Sequence, residues 1–243
     1  MPDMIIPNWQ VPNNVKAYTT TRKGGVSIAP YDSFNLADHV DDNPEHVKIN
    51  RQLLKTNLHL PNEPIWLKQV HSTTSVIANQ ENTGQCADAV YSYEKNTVCV
   101  VMTADCLPVL LTNQQGNMVA AIHAGWRGLA GGILETTLQQ LNVISEDVIV
   151  WLGPAISGKA FEVGDEVRTA FIDFLPQAEH AFIPTRAGHW LADLYLLAKQ
   201  RLNQQGITQI YGGEFCTYTD ESRFYSYRRD KQTGRMASLI WLT

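Results

Sequence analysis

Three side chains with an affinity for borderline metals stand in short, well-defined settings: His71 in KQVHS, Cys106 in TADCLPV and His123 in AIHAGWRG. Two imidazoles and a thiolate suit Zn²⁺. Three protein donors rather than four leave a coordination position for water or substrate, which is the arrangement of a catalytic site. Taken one at a time, the same residues also fit a plainer reading, as hydrogen-bonded core histidines and a small buried thiol. The four cysteines, Cys86, Cys99, Cys106 and Cys216, are too sparse and irregular for a disulfide scaffold or a zinc knuckle.

Asp105 sits between the apolar runs 98–102 and 107–111, where an unpaired charge is costly. Its expected partner is a histidine ring N–H, whose tautomer it would fix, or Arg127, or the backbone of a turn. Gly125 and Gly128 precede a helical pattern, so they serve either an anion site at a helix N-terminus, with Arg127 adding charge, or backbone geometry alone. The loop Thr21-Arg22-Lys23-Gly24-Gly25 carries the same two readings. The stretch 223–230 interleaves aromatics with arginines. It reads as an edge strand with a solvated face, or as a platform that stacks on a heteroaromatic ring and binds a phosphate.

The elements that must position these groups follow from periodicity. Strand-like and helix-like segments alternate, as in a mixed α/β fold, and no linker, repeat or low-complexity tract divides the chain, which predicts one domain over 1–243. Asn43-Pro44-Glu45 is an N-cap, an N1 proline and a first-turn acid, so a helix is expected over 43–56. Residues 65–71 alternate as a strand that places Gln69 and His71 on one face. Strands are expected at 97–102, 118–124, 148–152, 214–218 and 238–242. Helices are expected at 163–175, at 190–204 and after Gly128, where Leu129, Ile133, Leu134, Leu138 and Leu141 form one stripe.

Composition limits the partners. With 243 residues and 44% hydrophobic content the chain can bury a substantial core. A net charge of -5 argues against a phosphate-backbone binder, so nucleic acid is not an expected partner. The N-terminus lacks the basic start and apolar run of a secretory signal, and no apolar stretch reaches the ~20 residues that span a bilayer, so the cytoplasm is expected and a membrane is not.

The segments TTRKGGVS (20–27), YDSFNLADHVDDNP (31–44), WLKQVHS (66–72), ADAVYS (87–92), VMTADCLPVLL (101–111), HAGWRG (123–128), WLGPAI (151–156) and FYSYRRDKQTGRMAS (224–238) resemble the laccase-domain, polyphenol oxidase-like family. Its members are also described as multi-activity purine nucleoside phosphorylases and as peptidoglycan editing factors. The resemblance covers essentially the whole chain. It implies a layered α-β-β-α sandwich related to cysteine hydrolases, and a zinc held by His71, Cys106 and His123.

The reactions ascribed to the family differ in kind. A multicopper laccase needs several imidazole-rich sets, and seven histidines with no His-x-His pair do not supply them, although Cu²⁺ could enter one His₂Cys site in vitro. Deamination of adenosine suits a zinc-activated water. Phosphorolysis needs an anion clamp, for which Arg22, Arg127 and Arg228 are the candidates. The expectation is a zinc-dependent purine nucleoside phosphorylase with adenosine deaminase side activity. In it Cys106, Asp105 and Arg127 act at the reacting atoms, and Arg22, Gln69 and Arg228 bind nucleoside and phosphate. The alternatives are a hydrolase of a cell-wall precursor, using zinc or Cys106 as nucleophile with His123 as its base, a copper-dependent, laccase-like polyphenol oxidase, and a non-catalytic metal-binding or regulatory module.

Overall fold

The computed structural model describes residues 2–243. The first half of the chain runs β1 (Met4–Ile5), β2 (Val15–Thr20), α1 (Pro44–Asn57), β3 (Ser75–Ile77), β4 (Ala89–Ser92), β5 (Cys99–Thr103), β6 (Leu107–Asn113) and β7 (Val119–Ala124). The second half adds α2 (Trp126–Gly131), α3 (Ile133–Leu141), β8 (Val148–Leu152), β9 (Glu162–Gly164), α4 (Asp165–Ile172), β10 (Phe182–Arg186), β11 (His189–Ala192), α5 (Leu194–Gln204), β12 (Gln209–Gly212), α6 (Tyr227–Asp230) and β13 (Met236–Leu242).

Two sheets carry the architecture. One is antiparallel in the order β1-β2-β13-β5, and the other is mixed in the order β12-β8-β6-β7-β4-β3. Their side chains alternate across each strand, as period-2 geometry requires. Cys99 and Val101 of β5 meet Leu110 of β6 and Ala121 of β7 between the sheets. Val100 and Met102 of β5 instead pack with Leu54 of α1. On the far face of the six-stranded sheet, Val109 and Leu111 pack against Leu134 of α3 and Leu197 and Ala198 of α5. Helix, sheet, sheet, helix is therefore the order of layers, and the mixed α-β-β-α sandwich expected of the sequence is observed. Among the described residues no helix is long and apolar enough to cross a membrane.

Several expected elements change on folding. Residues 65–71 are not a strand: Ile65 makes a single bridge to Cys99 of the edge strand β5, and Lys68 makes one to Cys86. The side-chain amide of Gln69 stands in for a ladder there, donating to the Met102 carbonyl and accepting from the Met102 N–H, both at 2.7 Å. The apolar stripe from Leu129 to Leu141 is buried as expected, but Gly132 at φ 99° breaks it into α2 and α3. Residues 190–192 belong to β11, and α5 starts only where Asp193 caps it by accepting from the Leu196 N–H. Residues 214–218 are irregular, because Gly212 and Gly213 take positive φ at the end of β12 and turn the chain away from β8. The stretch 223–230 is not an edge strand. Phe224, Tyr225 and Ser226 are fully buried, and Ser226 caps the short α6. The third sheet, β10-β11-β9, was not expected, since its short and largely exposed strands show little alternation.

One buried amide ties the long loop 21–43 to α1. Asn50 is fully buried; its Oδ1 accepts from the Val26 N–H, and its Nδ2 lies 2.9–3.2 Å from Ser27 Oγ and the carbonyls of Ser33 and Asn35. Replacing it with alanine strands several buried polar groups. Asn50→Ala is therefore expected to lose about 2–3 kcal/mol of stability in urea unfolding.

Candidate metal centre

Cys106 ends the turn Ala104-Asp105-Cys106, which carries the chain from β5 in one sheet to β6 in the other. His123 lies near the end of β7, opposite Pro108 of β6, and by alternation it shares the face of Val119 and Ala121, the face between the sheets. His71 comes from the loop before β3 and takes a left-handed backbone, φ 60°. Their ligand atoms all lie within 4.8 Å of one another. His71 Nε2 is 3.8 Å from Cys106 Sγ, near the donor spacing that metal bonds of about 2.0–2.3 Å impose.

A carboxylate organises two of the three. Asp88 is fully buried, and its Oδ1 is 2.8 Å from His123 Nδ1. The same carboxylate accepts from the backbone N–H groups of His71 (3.0 Å) and Ser72 (2.6 Å) and from the Ser72 hydroxyl (2.7 Å). Burial works against its charge, but the His123 and Ser72 hydrogen bonds outweigh this and hold its pKa down to about 2. With Nδ1 donating to Asp88, His123 is left with Nε2 for the cluster, the tautomer a metal-ligating histidine needs.

Two further observations fit a metal to these residues. A Cβ at position 125 would lie 2.7 Å from His71 Cδ2 and 3.2 Å from Cys106 Sγ, so Gly125 clears the space in which the donors meet. Although burial raises the Cys106 thiol, His123 and then His71 bring it down to about 6. Burial likewise opposes charge on His123, while Cys106 and Asp88 lift its pKa to about 9. The pair thus favours thiolate and imidazolium, and the thiolate is the form that binds metals.

The other sequence candidates scatter. Asp105 reaches neither a histidine nor Arg127. It accepts from the Thr217 hydroxyl and the Arg228 backbone N–H, both at 2.6 Å, and so fixes the start of α6. Gln69 lines the cleft over the cluster while its amide is committed to Met102. Arg127 is exposed and stacks on Trp126, its guanidinium carbon 4.3 Å from the ring. Arg22 is held by Asp32 and the Glu221 carbonyl and lines a separate surface hollow. Arg228 alone of the three arginines borders the space around Cys106. An Arg22, Arg127 and Arg228 clamp is therefore not assembled. Gly125 and Gly128 make close approaches to the His71 loop, so both serve the backbone geometry there. Sequence reasoning missed Asp88 and Arg235, although both lie in segments, ADAVYS and TGRMAS, that carry the family resemblance.

The chain matches, over residues 16–243, the family described as multi-copper polyphenol oxidoreductase laccase. The chain belongs to this family. Relatives include a Haemophilus influenzae protein called purine nucleoside phosphorylase, 55% identical over 98% of both chains. The Escherichia coli K12 protein called purine nucleoside phosphorylase YfiH is 51% identical over the full length of both. A solved Neisseria meningitidis structure aligns with a TM-score of 0.95 and 47% identity over 98% of each chain. This member of the laccase-like family has a His-Cys-His cluster that could hold a metal.

Asp88→Ala should lower metal affinity by about 10–100-fold, measured by competition with a chromogenic chelator, because His123 loses the partner that sets its tautomer. In the metal-free protein, alkylation of Cys106 should follow a pKa near 6, so that its rate is already at its plateau by pH 7.5. His123→Ala should move that profile upward, towards an ordinary thiol.

Proposed function

We propose that the chain is a zinc-dependent purine nucleoside phosphorylase acting on adenosine, inosine and methylthioadenosine, with adenosine deamination as a side activity. The observation that carries this reading is the three-donor cluster. It is closed on one side by Asp88 and open on the other to a cleft, in a chain 51–55% identical to relatives called purine nucleoside phosphorylase. Zinc, when bound there, supplies Lewis acidity that acidifies a water and stabilises negative charge on an oxygen.

In phosphorolysis a phosphate oxygen bonds to the ribose C1′ as the C1′–N9 bond breaks. The bonding pair leaves with the base, which takes up the phosphate proton, and the products are adenine and ribose 1-phosphate. In deamination, water adds its oxygen at C6 and the amino group departs as ammonia. The chain's own contribution to either is placement: Asp88 holds His123 and the His71 backbone, and Gly125 keeps the floor of the cleft clear. The acidic net charge of -5 fits a small-molecule substrate better than nucleic acid. The four free thiols fit a reducing, cytoplasmic setting.

A second reading has one observation in its favour. The Cys106 thiol, drawn down by His123, has the character of a nucleophile paired with a base, as in a hydrolase acting on an amide of a cell-wall precursor. A multicopper oxidase has less support: the described residues contain one cluster of three such donors, and several coppers need several. Copper entering that cluster would still give oxidase turnover in copper-rich buffer.

Chromatography of adenosine incubated with phosphate and zinc-loaded protein should yield adenine and ribose 1-phosphate. His71→Ala and Cys106→Ala should lower that turnover on the order of 100-fold or more. Intact adenosine despite stoichiometric zinc would defeat the proposal, and full activity after exhaustive chelation would favour the cysteine hydrolase.

A further inference from the structure

The space around Cys106 is two compartments rather than one. A cavity of about 370 Å³ is lined by His39, Gln69, His71, His123 and Arg235, and a smaller one of about 120 Å³ by Trp126, Ile156, Phe161, Leu194 and Arg228. Ala104, Cys106 and Tyr227 line both, so the two meet at Cys106. Tyr227 is half exposed, and its ring lies 5.9 Å from the Arg235 guanidinium carbon.

The arginines sort by partner. Arg22, Arg51, Arg186, Arg201, Arg223 and Arg229 each pair with a carboxylate. Arg127 and Arg168 stack on tryptophans, Trp126 and Trp190. Arg228 and Arg235, one in each compartment, make no ion pair among the described residues. Arg228 donates to the Glu162 carbonyl and packs 5.2 Å from the Phe161 ring. Among the described residues Arg235 uses only Nη1, for the Thr233 and Gly234 carbonyls (2.9 and 3.0 Å), which anchors the guanidinium and leaves Nε and Nη2 uncommitted there. Its charge acts on His39 across the larger compartment. The His39 ring is held below its ordinary pKa by burial first and by Arg235 next, against Asp38.

A half-buried guanidinium without a carboxylate, anchored through one nitrogen, presents two parallel donors to an oxyanion. The aromatic and aliphatic walls of the other compartment offer stacking and burial to a flat heterocycle. We infer that Arg235 binds the inorganic phosphate of the reaction in the larger compartment, and that Trp126, Phe161 and Arg228 receive the purine base in the smaller one. The ribose then spans Cys106 and Tyr227, with its C1′ between base and phosphate. This rests on the phosphorylase reading and deepens it. It replaces the clamp of Arg22, Arg127 and Arg228 with a single arginine that the cleft contains.

The test is calorimetric and kinetic, on zinc-loaded wild type, Arg235→Gln, Arg235→Lys and Trp126→Leu, with zinc content and unfolding midpoint checked for each. Arg235→Gln should weaken binding of inorganic phosphate at constant ionic strength, and raise its KM, at least tenfold. It should leave adenosine binding within twofold, and Arg235→Lys should restore part of the loss. Trp126→Leu should show the converse, with weaker adenosine and unchanged phosphate. Wild-type phosphate affinity in folded, zinc-loaded Arg235→Gln would overturn the assignment. So would equal loss of both ligands, or an Arg235 dependence seen for adenosine 5′-monophosphate in a protein that binds no free phosphate. If wild type binds both ligands in the expected pattern yet releases no adenine, the phosphorylase reading fails while the division of the cleft stands. If adenine is released but the phosphate KM ignores Arg235, the reverse holds.

Discussion

The Asp88 carboxylate accepts hydrogen bonds from His123 Nδ1, from the backbone of His71 and Ser72 and from the Ser72 hydroxyl, all from a fully buried position immediately before β4. A buried carboxylate is tolerated only when its lone pairs are satisfied, so the requirement runs in both directions. The His71 loop must fold onto Asp88 to make its burial possible, and Asp88 must be ionised to hold the loop and the imidazole. Its depressed pKa follows from the same contacts. The left-handed backbone of His71 is part of this arrangement, since it lets three successive N–H groups, Val70 to Ser72, face one carboxylate.

The donors meet because two sheets meet. β5 ends one sheet and β6 begins in the other, and the three-residue turn between them places Cys106 at the seam. His123 arrives there from β7 by alternation along a strand whose other residues are wholly buried. Close packing on both faces of the six-stranded sheet makes β6 and β7 rigid supports, which suits a centre that must hold its geometry without relaxing. The long loop 21–43 is no exception, since Asn50 secures it from within α1.

Asp105 shows how a buried charge can matter to a site without touching its reacting centre. By accepting from Thr217 and from the Arg228 backbone, it fixes the first turn of α6. Tyr227 and Arg228, on that turn, border the cleft from above Cys106. The floor and the rim of the cleft are thus joined through the neighbour of Cys106 in sequence. Chemistry at the cluster and shape at the rim are consequently not independent features of the fold.

Local physics was legible in the chain. Asn43-Pro44-Glu45 announced α1, and the capping bond from the Glu45 N–H to Asn43 is observed. The apolar strands β5, β7, β8 and β13 stand within a few residues of where composition and alternation put them. Residue types alone suggested His71, Cys106 and His123 as a donor set, because thiolate and imidazole chemistry belongs to the side chain. What tertiary structure decided was every question of partner. Asp105, not Asp88, looked like the histidine's carboxylate, because it stands beside Cys106 in sequence, whereas the bond that forms joins residues 35 apart. The arginines could not be sorted either, since a guanidinium's role depends on whether a distant carboxylate reaches it first. Segment 65–71 carried the alternation of a strand, yet lay against an edge where a glutamine amide took over the ladder's hydrogen bonds. Periodicity reports which face of a segment is apolar; only the folded chain determines what that face, or a charge beside it, will meet.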